Sequence, residues 1–493
     1  MKQLNYENLR QSGYQGFLQN SAPERVLQFG EGNFLRAFVD YFIDVANEKC
    51  GFDTSVVIVQ PIAHGLADVL NQQQGLYTLY LRGLENGKKA EEKRVVSCIS
   101  RAINPYEDYA AMLACAHSAD LRYIVSNTTE AGIVFDNTCQ FDDAPPSSFP
   151  AKLTRFLYER YKAFGTGHGL VILSCELIDH NGDELRRCVD ETIQLWKLGN
   201  RFSNWVNKEV LFCNTLVDRI VTGYPRAQAE PLNQENGYED KLLDTGEVFG
   251  LWVIEGPQSL ADELPFDKAG LPVRVVPDHA PYKQRKVRIL NGAHTSMVMA
   301  AYLAGENIVR ECMTNKTIRA FLEKTIHEEI IPTLSLPREE LEAFARSVVD
   351  RFQNPFIDHR LLAIALNSTS KWRARVLPSL KGYVDQFGRL PSRIVFSFAA
   401  YLAFYRGVRL EEKGLVAMRG DEEYIVDDTR AVLELFYAHR DSDTHTFVHA
   451  ICSDESLWGE DLSAISGFES AVEDYLEQIK SGEIKDVMMK LAQ

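Results

Sequence analysis

Four short apolar runs shape the first half of this 493-residue chain: Arg25-Val-Leu-Gln-Phe29, Ser55-Val-Val-Ile-Val59, Leu121-Arg-Tyr-Ile-Val125 and Gly169-Leu-Val-Ile-Leu173. Each ends in a polar or glycine-bearing loop, and helical patterns fall between them. Apolar strands that alternate with helices predict an α/β domain, a parallel sheet covered on both faces. Gly87-Lys-Lys-Ala-Glu-Glu-Lys93 and Asp142-Asp-Ala-Pro-Pro-Ser147 read as surface loops. Beyond residue 283 helical periodicity takes over, in 317–331, 338–351, 392–405 and 468–479, with few strand signals. Two prolines in Pro277-Asp-His-Ala-Pro-Tyr282 mark the change. The expected organisation is therefore an N-terminal domain over 1–282 and a mainly α-helical domain over 283–493. That count suits a chain too long for one core.

Composition narrows the class. Hydrophobic content of 45% and charged content of 25% are ordinary globular values. A net charge of −16 argues against nucleic acid or an anionic membrane as a partner, though not against a local cationic pocket. The opening MKQLNYENLRQSGYQGF lacks an apolar signal core, and no run of about 18 apolar residues occurs. Nine cysteines without a CxxC pair suit reduced thiols in a cytoplasm. Oligomeric state is left open.

Between the first strand and the following helix stands Phe29-Gly30-Glu31-Gly32-Asn33-Phe34-Leu35-Arg36. Gly30 permits a tight turn, and Gly32 lets backbone N–H groups approach the phosphates of a dinucleotide at a helix N-terminus. Leu35 replaces the third glycine of the usual fingerprint, which prevents the closest helix–sheet packing. The alternative is a plain turn; the strand–loop–helix context favours the cofactor. At the end of the second strand Gln60 replaces the usual acid, so the choice between NAD and NADP is open there. The loops Ser126-Asn127-Thr128-Thr129-Glu130 and Ser174-Cys-Glu176-Leu-Ile-Asp-His180-Asn181-Gly182 should emerge at the sheet's carboxyl edge, the first as a cofactor contact.

Lys286-Val-Arg-Ile-Leu-Asn291-Gly-Ala-His294 opens an apolar helical stretch. At about 100° per residue, Asn291 and His294 lie roughly 140° and 80° around the axis from Lys286. An amine, an amide and an imidazole on one broad side suit carbonyl or alcohol chemistry without a metal. Lys283, Arg285 and Arg288 crowd Lys286, and like charges disfavour an ammonium. The bland reading is a solvated basic helix start. His445 and His449 have the spacing of a metal pair but lack a third ligand, so a packing role is expected. Lys371-Trp-Arg373-Ala-Arg375 is a cationic cluster that suits a substrate carboxylate or, more simply, a wet face.

Lys286, Asn291 and His294 form the pattern Lys-x4-Asn-x2-His, which resembles the signature of the mannitol dehydrogenase family, the polyol-specific long-chain dehydrogenases. Gly30-Glu-Gly32-Asn-Phe34-Leu-Arg36 and Val217-Asp218-Arg219-Ile220 resemble its other blocks, and longer strings such as CELID and RFQNPFI resemble a subgroup acting on sugar acids. The resemblance implies a Rossmann-type domain, a helical domain, a site in the cleft between them, NAD as cofactor and no catalytic metal. Lys286 would be the general acid/base, Asn291 would donate to the oxygen that becomes charged, and His294 would bind a hydroxyl. Asp218, Lys283, Lys371 and Arg373 are the expected substrate contacts. Two departures stand out: Lys283 replaces a glutamate, and Leu177 replaces a second asparagine. A neutral polyol as substrate, or a nucleotide-binding module without chemistry, are the alternatives.

Overall fold

The computed structural model describes residues 1–19, 21–129 and 131–493; Glu130, within the predicted cofactor loop, lies outside them. The chain divides into two compact units, Met1–Arg82 with Lys89–His279, and Gly83–Lys88 with Ala280–Gln493.

The first unit carries β1 (Glu24–Phe29), β2 (Ser55–Val59), β3 (Tyr77–Glu85), β4 (Lys88–Val96), β5 (Ile99–Ile103), β6 (Tyr123–Ser126), β7 (Val171–Ser174) and β8 (Leu211–Cys213). Six of these form a sheet in the order β5-β2-β1-β6-β7-β8, with every neighbouring pair parallel. Counted within the sheet this is 3-2-1-4-5-6, the doubly wound dinucleotide-binding order, whose direction reverses between β1 and β6. Ligands of such sheets sit outside the carboxyl ends of the strands at that reversal, and the Gly30 turn and Asn127 both leave the sheet there. Residue alternation divides the strands between two cores. Val26, Val56, Ile58 and Val125 face one cluster, while Leu27, Phe29, Val57 and Ile124 face the other. Burial on both faces explains why these strands are apolar at nearly every position.

The expected loop at Gly87–Lys93 is instead the start of β4. Asn86 and Gly87 both have positive φ, and they join β3 to β4 as a two-residue hairpin turn does. The lysines and glutamates misled because β4 lies at the edge of its sheet with alternate side chains in water. The Asn-Gly pair was the legible signal. Three further strands, β9 (Thr215–Asp218), β10 (Asp244–Gly246) and β11 (Leu251–Glu255), precede β12 (Val273–Val276).

The helix after the glycine turn runs over 33–50 and opens into π-helical pairing at Arg36–Asp40. Asp40 is fully buried there. Its Oδ2 accepts one bond from Gln28 Nε2 at 3.2 Å, and its Oδ1 has no partner among the described residues. Burial pushes its carboxyl from 3.8 up to about 7, against the pull of Gln28 and Arg36. The unfolded chain ionises first, so folding stability falls as pH rises between about 4 and 7, by at most about 4 kcal/mol from this group. Asp40→Asn is expected to lose clearly fewer degrees than the parent between pH 5 and pH 8, the remaining slope coming from Asp244, whose buried carboxyl is likewise pushed up to about 7. Parallel curves for the two proteins would remove Asp40 from the account.

The second unit is mainly helical. Ser392–Tyr405 and Ala293–Leu303 are apolar around most of their circumference and buried accordingly, which marks central helices. Arg338–Phe352, Ser368–Arg375 and Phe468–Lys480 pack around them. Sequence patterns missed a three-stranded antiparallel sheet of β13 (Arg409–Glu411), β14 (Gly414–Arg419) and β15 (Glu422–Val426). Its short strands carry charges on an exposed face, which weakens any alternation. No helix of the described residues is long and apolar enough to cross a membrane, and all nine cysteines are free.

Candidate active site

Gly30 adopts φ +127, a region closed to other residues, and a Cβ there would lie 3.0 Å from the Asn127 carbonyl and 3.1 Å from Leu35 Cδ1. Leu35, buried against this glycine, fills the space that the usual third glycine leaves open. Gly32 is the N-cap of the following helix, has no side-chain cap and has open space around it. The unsatisfied N–H groups of that helix start are therefore available to an anion. Beside them lies a cavity of about 810 Å³ lined by Gly30, Glu31, Gly32, Ile62, Asn127 and Thr128. The cradle fits the pyrophosphate of a dinucleotide: removing either glycine would fill it.

Several predicted cofactor contacts turn out to build this turn. Arg36 is buried, donating to the Leu242 carbonyl and Asn33 Oδ1 at 2.6 Å each and to the Glu31 carbonyl at 3.2 Å. It braces the loop from behind, and Asn33 is committed to it. Gln60 is likewise occupied: Nε2 donates to the Ile62 carbonyl at 2.8 Å, and Oε1 accepts from Ala67 N–H at 3.1 Å. Its amide orders the chain after β2, and Pro61 and Ile62 line the cavity instead. Glu31 comes close to Gln60, since a Cβ on Gly65 would touch both side chains. Burial raises the Glu31 carboxyl above the usual range. Phe34 stacks on Phe38 with centroids 5.0 Å apart and, with Asn127, Thr129 and Leu177, lines a recess of about 460 Å³.

Asn127 and Thr128 reach the cavity because Glu176 holds their loop. Its Oε1 accepts from Thr128 N–H at 3.0 Å and Thr128 Oγ1 at 3.1 Å, and its Oε2 from Ser126 Oγ at 3.1 Å. Asn127 Nδ2 donates to the Cys175 carbonyl at 2.7 Å. The loop after β7 thus acts as a brace, a role its Ser, Glu and Asn content did not distinguish from a binding loop. Asp218 ends β9, is buried, and belongs to this first unit. Glu255, Asp278 and His279 bring one ligand atom each within 4.8 Å, but His279 Nδ1 already lies in a 2.5 Å hydrogen bond with Glu255 Oε2. His445 and His449 face Glu473 and Glu469 at 2.8 and 3.0 Å across two helices, a packing contact.

In the second unit, residues 280–303 form one helix whose middle, Lys286–Gly292, is π-helical. Pairing from i to i+5 widens the turn, so residues five apart come onto one side of the axis. Lys286 and Asn291 are five apart. At α-helical spacing they fall roughly 140° apart within one broad side, and π-helical pairing over Lys286–Gly292 narrows that angle. Gly292 permits close packing here, since a Cβ would stand 2.9 Å from the Arg375 carbonyl.

His294 follows one turn later. Its ring stacks on Phe352 with centroids 3.8 Å apart and planes 7° from parallel, and His359 meets it edge-on at 5.7 Å. Burial, and then the charges of His359, Arg351 and Arg375, hold its pKa well below 6.5, so the imidazole is neutral. Its Nε2 is buried with no hydrogen-bond partner among the described residues. A buried ring nitrogen without a partner is costly, and a neutral imidazole there can still take a hydrogen bond. Phe352 lies in the RFQNPFI string but sequence reasoning assigned it no role.

The cationic cluster splits. Lys371 Nζ donates to the Ile364 carbonyl at 2.9 Å. Arg373 is exposed and turns to the Leu457 carbonyl at 3.5 Å, beside Gly459. Two residues along a helix reverse the facing direction, so Arg373 and Arg375 leave the helix on different sides. Lys283 lies half-buried one turn before Lys286.

The switch-point glycine turn, together with the family matches, marks an oxidoreductase of the polyol-dehydrogenase type. The family model described as Mannitol dehydrogenase Rossmann domain matches residues 24–268, and Mannitol dehydrogenase C-terminal domain matches 278–480. The chain belongs to the mannitol dehydrogenase family. It is 47% identical over 474 residues to a Klebsiella pneumoniae (strain 342) protein named altronate oxidoreductase, covering 95% of this chain and 97% of that one. A Cronobacter sakazakii protein of the same name is 48% identical over 465 residues, 93% of this chain and 94% of that one. Among solved structures, a substrate-free D-sorbitol dehydrogenase has TM-score 0.80 at 23% identity, covering 99% of this chain and 100% of that one. The Pseudomonas fluorescens mannitol 2-dehydrogenase ternary complex with NAD and D-mannitol has TM-score 0.67 at 24% identity, covering 100% and 99%. These two likenesses show the fold.

Proposed function

We propose that this protein is an NAD-dependent tagaturonate reductase, interconverting the keto acid tagaturonate and altronate without a metal. The observation that carries this reading is the near-full-length likeness, at 47% identity, to proteins named altronate oxidoreductase. Gly30, Gly32 and the helix start after them would hold a nicotinamide dinucleotide, which would supply the hydride for reduction and take it up in oxidation. NAD rather than NADP is supported by Glu31, whose carboxyl beside Gln60 suits ribose hydroxyls and would repel a 2′-phosphate. In reduction the Lys286 ammonium donates a proton to the forming alkoxide, and in oxidation the amine takes it back. The Asn291 amide donates to the same oxygen as its charge grows. His294, kept neutral, takes a substrate hydroxyl on its bare Nε2. Lys283 and Lys371 add positive charge for an acidic substrate, and Asp218 is proposed as a further hydroxyl partner.

Fructuronate and neutral ketoses are the rival substrates, and a nucleotide-binding module without catalysis is the rival of another class. NADH oxidation followed with tagaturonate, fructuronate and fructose separates them. The expected result is a specificity constant for tagaturonate well above the other two. No NADH oxidation with any of the three would leave only the binding module.

A further inference from the structure

We propose that Arg375 is the specificity-determining residue of the helical unit, its guanidinium gripping the carboxylate of the sugar acid together with Lys371. The inference rests on the hexuronate reading above. Lys371 and Arg375 lie four apart on the helix Ser368–Arg375, so they share a face, whereas Arg373 points the other way. The carbonyl of Arg375 abuts Gly292, which ends the π segment carrying Lys286 and Asn291. The charge of Arg375 also reaches both His294 and Lys371. Its side chain therefore belongs to the same neighbourhood as the reacting groups.

Arg375 is half-buried, yet no carboxylate and no hydrogen-bond acceptor engages its guanidinium among the described residues. Several other buried arginines have partners: Arg94 pairs with Asp44 at 2.6 Å, Arg285 with Glu340 at 2.7 Å and Arg393 with Glu328 at 2.8 Å, while Arg288 donates to Ser379 Oγ at 2.6 Å. With 69 acidic residues available, an unpaired guanidinium beside a lysine and a neutral histidine is a site arranged for an anion from outside. A planar fork of donors matches a carboxylate bidentately, which an ammonium cannot do. A neutral ketose would leave the Arg375 guanidinium without a counter-charge, and that penalty is a source of selectivity.

The test compares kcat/KM for tagaturonate and for fructose in Arg375→Leu, Arg375→Lys and Arg373→Leu. Arg375→Leu should lose on the order of 100-fold on tagaturonate and no more than a few-fold on fructose. Arg375→Lys should recover part of the loss, Arg373→Leu should match the parent, and NADH affinity should be unchanged in all three. Equal losses on both substrates, or a larger effect at Arg373, would overturn the assignment. A parent enzyme that turns over fructose but ignores tagaturonate would overturn the hexuronate reading itself, and this inference with it. If Arg375→Leu does not fold, the Arg375→Lys ratio of the two specificity constants decides. An unchanged ratio counts against the proposal.

Discussion

Lys286→Ala is expected to lower turnover about 10²–10⁴-fold in both directions while leaving NADH affinity within a factor of a few. The amine is the proton donor assigned to the forming alkoxide, and alanine supplies none. Water can reach that oxygen but is not held in position, so the chemical step slows and the binding step does not. The cofactor cradle belongs to the first unit and Lys286 to the second, which is why the two measurements should part company. Single-turnover NADH oxidation alongside a fluorescence titration reads both. Near-normal turnover in the variant would end the proposed role of the amine.

Gly30→Ala should weaken NADH binding by about 10–100-fold. A side chain at φ +127 costs roughly 1–3 kcal/mol in backbone strain. The added Cβ also meets the Asn127 carbonyl at 3.0 Å, a backbone atom that cannot swing aside. The turn must move, and the N–H groups aimed at the phosphates move with it. Gly32→Ala provides the contrast. At φ −67 the backbone accepts alanine and the new Cβ meets nothing within 4 Å, so the variant should melt like the parent. Its methyl occupies space intended for phosphate, so affinity should still fall. Calorimetric titration with NADH and thermal melts of both variants check the pair. Parent-like affinity in Gly30→Ala would mean that the turn is not the phosphate cradle.

Much of the site was legible because its signals are local. Glycines between a strand and a helix, and an amine, an amide and an imidazole in a short span, are visible without any fold. What the sequence could not separate was binding from bracing. Arg36, Gln60 and Asn33 have the chemistry of ligand contacts, yet their hydrogen bonds close on Leu242, Ile62, Ala67 and one another. Glu176 has no motif of its own and nevertheless holds the Thr128 loop. Arg373 and Arg375 are equivalent as letters, and only the phase of one helix separates them.

By itself the amino-acid order determined the layered parallel sheet, the place of the glycine turn and the presence of the Lys-Asn-His set, since apolar runs and backbone-permissive residues act on their near neighbours. Tertiary structure decided the rest. It opened the helix at 286–292 into π-helical pairing, stacked His294 on Phe352, and left the His294 Nε2 buried without a partner among the described residues. It also turned the charged stretch after Gly87 into an edge strand. Those outcomes depend on which distant groups arrive alongside, and burial and pairing are properties of that arrival rather than of any residue alone.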